Sequence, residues 1–304
     1  MRDLISFIFS CVIEGEDNEK LKMLPLEMSK PQGHIEACYS GNPIFETIVQ
    51  ALQQTGRSIN EVTPKDIAAV DEFHVRGREA SMELALQAGL RPGMQVLDIG
   101  CGLGGAARLL AGEFGCQVTG IDISPEYIHT AQKLSQLTHL PTHFVVGNAL
   151  ALPFENGRFD VVWTQHAQMN IADKRRFYKE VARVLQPNGR FVYYDVLSKE
   201  HAPIQYPLPW ADDESMSYLV TPDELRKLLP DAGLAPVQIT DETNKGIQFF
   251  AALLQRLTTR GFPAVGIHLL IGHDAMLKLQ NLYTQLTEGN LLLESGIYKP
   301  LTTK

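Results

Sequence analysis

Asp98 stands two residues before Gly100, and Gly102, Gly104 and Gly105 follow in close succession. An apolar run at 96–99 leads into these residues, and 106–114 continue with a helical pattern. A strand, a glycine turn and a helix in that order place bare backbone N–H groups and a helix N-terminus beside one carboxylate. Gly100, Gly102 and Gly105 satisfy G-x-G-x-x-G, the spacing of a dinucleotide site. Asp98 weighs against that ligand, because a carboxylate so close to the first glycine repels a pyrophosphate and attracts an amino-acid ammonium. A second acid, Asp122, closes the next apolar run roughly 20 residues on, the distance at which a carboxylate can accept both hydroxyls of a ribose.

Two histidines are placed to move protons near neutral pH. His166 lies in Thr164-Gln165-His166-Ala167-Gln168-Met169-Asn170, just after the expected fourth strand. Ligands of open α/β sheets bind outside such strand ends, so Gln165 and His166 are expected to face a bound ligand. His74 lies in Asp71-Glu72-Phe73-His74-Val75-Arg76-Gly77-Arg78, ahead of an amphipathic helix. Asp195, at the end of the fifth strand, could bind a cationic amine or simply hydrogen-bond the neighbouring loop.

The glycine loop, the run Phe159-Asp160-Val161-Val162-Trp163 and the segment Arg183-Val184-Leu185-Gln186-Pro187-Asn188-Gly189 together resemble the class I S-adenosylmethionine-dependent methyltransferases. A dehydrogenase has no reason to show the last two, which leaves an NAD(P)-dependent oxidoreductase as a remote alternative. The resemblance implies S-adenosylmethionine as cofactor, with Asp98, Gly100, Gly102, Gly104 and Gln165 around its methionine part. It implies Asp122 and Ile123 at the ribose, and Asn148 and Ala149 at the adenine. The family's usual Gly-Asp-Ala reads Gly147-Asn148-Ala149 here, and an amide oxygen can accept the same hydrogen bond. His166, His74 and Asp195 are the candidates for work on the methyl acceptor. No motif calls for a metal.

These residues need a frame. The resemblance implies an α/β fold with a doubly wound, mostly parallel seven-stranded sheet, order 3-2-1-4-5-7-6, strand 7 antiparallel. Strands are expected at 96–99, 117–122, 143–146, 157–163, 191–195, 236–240 and 291–299, with helices between them. Residues 28–90 read as an N-terminal helical lid whose Phe73, His74 and Arg76 face the cofactor. Residues 91–304 read as the methyltransferase domain, with a helical insertion at about 244–290. The apolar run at 4–13 is too short to span a bilayer, and residues 1–27 read as an added leader, with a buried or membrane-surface first helix as the alternative.

The 304 residues are 44% hydrophobic and 20% charged, with a formal net charge of -8 and no dense basic run, which argues against a nucleic-acid partner. The four cysteines, at 11, 38, 101 and 116, match no zinc spacing and suit a reducing, cytoplasmic setting. The expected partner is a small-molecule methyl acceptor, without stable membrane insertion, and the expected assembly is a monomer or homodimer. The insertion, Trp163-Thr164-Gln165-His166 and Phe73-His74 are loosely similar to the sarcosine/dimethylglycine N-methyltransferase group. That likeness implies N-methylation of a glycine-like amine. The alternative is C- or O-methylation of a quinone, a tocopherol-like compound or another lipid, because the apolar insertion could cover one.

Overall fold

Alternation along the fifth strand divides its side chains between two cores. Phe191, Tyr193 and Leu197 join one buried cluster, while Val192, Tyr194 and Val196 join the other. The computed structural model describes residues 44–301, so the expected leader and the first part of the expected lid lie outside them. Seven strands form one sheet: β1 (Gln95–Ile99), β2 (Gln117–Asp122), β3 (His143–Val146), β4 (Phe159–Gln165), β5 (Leu185–Ser198), β6 (Leu234–Asp241) and β7 (Leu291–Pro300). Their order is β3-β2-β1-β4-β5-β7-β6, with β7 antiparallel to both β5 and β6.

One face of the sheet is covered by α6 (Lys174–Val184) and α7 (Pro222–Asp231), through Phe177, Val181, Val184, Leu225 and Leu229. Each of these side chains is wholly buried, which is worth roughly 1.5–3 kcal/mol apiece. Their spacing is the helical stripe of the sequence. The opposite face carries α3 (Gly77–Gln87), α4 (Gly105–Phe114) and α5 (Pro125–Leu137). Ser124 starts α5 by accepting the Tyr127 N–H at 3.2 Å, with a proline in the first turn. A Thr221–Glu224 capping box starts α7. Two further helices, α1 (Ile44–Gln54) and α2 (Pro64–Asp71), pack by Ile48, Leu52, Ile67 and Val70 against Leu103 of the glycine loop and Leu134 of α5.

Between β6 and β7 the chain forms α8 (Thr243–Arg260), a single turn α9 (His268–Ile271) and α10 (Ala275–Thr287). The two long helices pack on each other and on β7. β5 is longer at both ends than the expected 191–195. Leu185 already pairs with Phe159, and β7 continues the ladder to the Ser198–Leu291 pair. The antiparallel partner supplies hydrogen bonds that the apolar pattern of β5 alone does not announce.

Candidate active site

β1, β2 and β4 run parallel, so their C-terminal ends reach the same edge of the sheet. A cavity of about 720 Å³ opens there. Asp98, Gly100, Gly102, Asp122, Ile123, Asn148, Ala149, Gln165, His166 and His74 all border it.

The glycine loop explains itself position by position. Gly102 has φ +52°, and a Cβ added there would meet nothing within 4 Å. Its bare backbone therefore faces open cavity. A Cβ on Gly105 would lie 2.4 Å from the Asp71 carbonyl oxygen and 2.7 Å from Glu72 Cγ. The last glycine of the motif thus admits the end of α2 against the start of α4. Gly104, expected at the cofactor, does not border the cavity. It faces Phe144, whose ring would be 2.5 Å from a Cβ there.

The two strand-end acids differ. Asp98 is 2% exposed and its Oδ2 has no hydrogen-bond partner among the described residues. Burial, then the neighbouring Asp122, pushes its carboxyl up to about 7. Asp122 accepts the Gly102 N–H at 3.0 Å and the Ser124 N–H at 2.9 Å, one on each oxygen. Each oxygen keeps a further lone pair. Asn148 uses its amide oxygen on the Leu150 N–H at 2.8 Å, which fixes its orientation at the wall.

At the end of β4 the backbone turns sharply. His166 has φ +47°, uncommon for a side chain with a Cβ, and its N–H donates to the Tyr194 carbonyl at 2.9 Å. Its ring lies 5.0 Å from that of Tyr194 and 6.0 Å from that of His74, and its Nε2 is buried with no partner among the described residues. Burial holds His166 well below the usual histidine range and lowers His74 to about 4. Both are neutral imidazoles at physiological pH.

A residue not singled out from sequence joins them. Glu72 borders the cavity, and burial, then Asp71, raises its carboxyl to about 8. Ser81 Oγ sits between Glu72 and His74, 3.2 Å from Glu72 Oε2 and 3.1 Å from His74 Nε2. Nothing in the sequence near Glu72 marks it, because its partners come from α3 and β4.

Two further expected site residues are engaged within the protein. Asp195 has no exposed surface and does not border the cavity. It accepts the Gln168 N–H at 3.0 Å and the Val196 N–H at 2.9 Å, so it holds the loop after β4. Arg76 borders the cavity, but its guanidinium enters an ion network, with Glu83 at 2.7 Å, Glu79 at 2.9 Å and Glu242, just before α8, at 3.2 Å. The loop after β4 gains a second anchor in Lys174, whose buried ammonium donates to the carbonyls of Gln168, Ile171 and Tyr218.

The remaining wall comes from the 197–220 segment and the insertion: Trp210, Phe249, Phe250, Leu253, Leu257 and Phe262. Arg176 and Arg256, both exposed, stand at its rim.

Residues 97–193 match the family model described as a methyltransferase domain. This span contains the glycine loop, both strand-end acids and His166. Residues 97–193 form a methyltransferase domain of the class I S-adenosylmethionine-dependent type. Among curated relatives, this chain is 45% identical over 106 residues to the 2-methyl-6-phytyl-1,4-hydroquinone methyltransferase of Synechocystis, a match covering 35% of this chain and 33% of that one. It is 29% identical over 180 residues to the sarcosine/dimethylglycine N-methyltransferase of Halorhodospira halochloris, covering 58% and 64% of the two chains. The match thus spans about a third of the length of the first relative. The geranyl diphosphate C-methyltransferase of Streptomyces coelicolor shares the fold, with a TM-score of 0.65 at 17% identity, covering 91% of this chain and 100% of that one.

The residues of the site fit S-adenosylmethionine. Asp98 presents a buried, unpartnered carboxyl oxygen, which suits an ammonium. Gly102 leaves open the space a side chain would fill. The family match also removes the dinucleotide alternative. Among the described residues, no helix is long and apolar enough to cross a membrane, and no group of three or more His, Cys, Asp or Glu is arranged to hold a metal ion.

Proposed function

We propose that the chain methylates a largely apolar small molecule at a hydroxyl or an activated ring carbon. The observation that carries this reading is the wall of Trp210, Phe249, Phe250, Leu253, Leu257 and Phe262, which offers an acceptor dispersion contacts and few hydrogen bonds. The glycine-like amine expected from sequence would bring a carboxylate and an ammonium into that apolar surrounding, at a cost of several kcal/mol unless each were paired. The quinone-like or lipid-like alternative suits the wall better.

In this reading Asp98 receives the methionine ammonium of S-adenosylmethionine, and Asp122 receives the ribose hydroxyls on its remaining lone pairs. Ile123, Asn148 and Ala149 border the adenine, and Gly100 and Gly102 let the ligand lie against the backbone. Gln165, whose Nε2 has no partner among the described residues, donates to the methionine part. The cofactor supplies an electrophilic methyl on a sulfonium, which the acceptor's lone pair displaces in line. A hydroxyl or ring carbon must lose a proton, and the neutral imidazoles of His74 and His166 are the bases at hand. The segment between α2 and α3 acts as the cover over the site.

Incubation with methyl-labelled S-adenosylmethionine tests the reading. The acceptors are a prenylated hydroquinone in one arm, and glycine and sarcosine in the other. Label in the organic-soluble product, reduced at least ten-fold in Leu253→Arg, supports the apolar acceptor. Label in methylated glycine or sarcosine overturns it and favours the amine reading. Arg176 and Arg256 would then hold the carboxylate.

A further inference from the structure

Ser81 Oγ has three neighbours at hydrogen-bonding distance: Glu72 Oε2 at 3.2 Å, His74 Nε2 at 3.1 Å and Gln165 Oε1 at 3.1 Å. A hydroxyl has one hydrogen and two lone pairs. The identity of the Gln165 atom is fixed from the far side, because Trp163 Nε1, which can only donate, lies 2.9 Å from it. That atom is therefore the amide oxygen, and it can only accept. All three bonds form in one arrangement alone: Ser81 donates to Gln165, and its lone pairs receive a proton from His74 Nε2–H and one from Glu72, with His74 Nδ1 bare and its 3.5 Å approach to the Val75 carbonyl not a hydrogen bond. Glu72 is then a neutral carboxylic acid. Ser81 is wholly buried and does not border the cavity, so water does not replace any of its three partners.

The surroundings of Glu72 agree. Asp71 on α2 opposes its ionisation. Arg78 of α3 lies 3.7 Å away, beyond hydrogen-bonding distance, and donates to Glu113. Arg108 of α4 is bonded to Asp71, and His74, 3.8 Å away, is uncharged. Burial dominates, and the carboxyl is raised to about 8.

We propose that Glu72 is the internal counter-charge and proton store of the transfer, ionising when the cationic cofactor enters and recovering its proton from the acceptor as the methyl moves. This rests on the reading of the chain as a methyltransferase. Before transfer the cavity holds the sulfonium, the Glu72 carboxylate and the acceptor X–H. During transfer the S–CH3 bond breaks, its electron pair staying on sulfur, and the X–CH3 bond forms with the acceptor's electron pair. The X–H proton passes to the cluster of His74, Ser81 and Glu72 and ends on the carboxylate. Sulfur is then neutral, Glu72 is neutral, and no net charge has entered or left the buried site. The stored proton leaves on exchange of S-adenosylhomocysteine for a fresh S-adenosylmethionine.

The two cofactor forms share the ammonium and differ by the sulfonium, so they isolate this event without any acceptor. Calorimetric titration of the full chain at pH 7 with each, in phosphate and in Tris, reads proton release from the difference in heat. A group of pKa about 8 is roughly nine-tenths protonated at pH 7. S-Adenosylmethionine should therefore release close to one proton more than S-adenosylhomocysteine does, and the difference should vanish in Glu72→Gln. Infrared difference spectra of the unmutated protein give an independent reading. The band of a protonated carboxyl should disappear on adding S-adenosylmethionine and persist with S-adenosylhomocysteine. Binding of both without that difference, or a difference that survives Glu72→Gln, overturns the proposal alone. Failure of both to bind overturns the methyltransferase reading beneath it.

Discussion

His74 and His166 meet edge to face at the cavity, ring centroids 6.0 Å apart, and burial keeps both uncharged. One comes from the segment between α2 and α3, the other from the end of β4.

Removal of His166 separates acceptor chemistry from cofactor binding. His166→Ala should lower turnover ~10²-fold or more, the scale of a lost proton-transfer group, while S-adenosylhomocysteine affinity changes little. Steady-state rates and calorimetry on the same preparation check both halves. An unchanged rate would make His166 scaffold.

His74 imposes a pH dependence of known sign. Its folded value, about 4, lies below the ordinary 6.5, so between those values the unfolded chain takes up a proton that the folded chain refuses. Its contribution to stability is therefore lost as pH falls from 6.5 towards 4, at up to ~1.4 kcal/mol per pH unit. Denaturant titrations of wild type and His74→Asn at pH 7, 6 and 5 should show their stability difference shifting in the variant's favour as pH drops. A pH-independent difference would contradict the neutral, buried imidazole.

Asp98 trades stability for binding. Its folded value, about 7, exceeds the ordinary 3.8, so stability falls as pH rises through that interval and the penalty is fully present above pH 7. Without ligand, Asp98→Asn should be the more stable protein at pH 8, by on the order of 1 kcal/mol or more, and should lose this advantage near pH 4. Its affinity for S-adenosylhomocysteine should fall at least ten-fold. Thermal unfolding with and without S-adenosylhomocysteine reads both effects.

Gly102→Val should abolish cofactor binding and leave the fold standing. The added side chain meets no protein atom at Cβ, and the left-handed backbone costs ~1–2 kcal/mol. Circular dichroism together with calorimetry distinguishes this from unfolding. Retained affinity would place the cofactor elsewhere.

Lys174→Met should leave three carbonyls, one buried and two half-buried, without their donor, costing ~2–4 kcal/mol, and loosen the loop after β4 against the 197–220 segment. The effect on KM for the acceptor should exceed that on cofactor affinity. Equal effects on both would refute a local role for this clamp.

Much of this was legible in the sequence. The apolar runs at 96–99 and 117–122, the acids in them and the cap at Ser124 are local signals, and local rules recover them. Gly105 was recognisable as part of a motif, but its reason, the passage of Asp71 and Glu72 across it, is tertiary. Glu72 was invisible for the same cause. Its partner Ser81 looks like an ordinary helical serine until Gln165 of β4 is brought beside it. Asp195 and Arg76 misled in the opposite direction. A charged residue near a strand end or helix start looks functional until a backbone N–H or an ion pair accounts for it.

The Arg76–Glu242 contact joins two segments that sequence treats as separate attachments. Arg76 stands at the entry to α3, and Glu242 immediately before α8. The two segments are thus not interchangeable modules. A graft that replaces residues 242–290 with those of a relative leaves a buried guanidinium without this carboxylate, and the transplanted stretch must bring its own partner for Arg76.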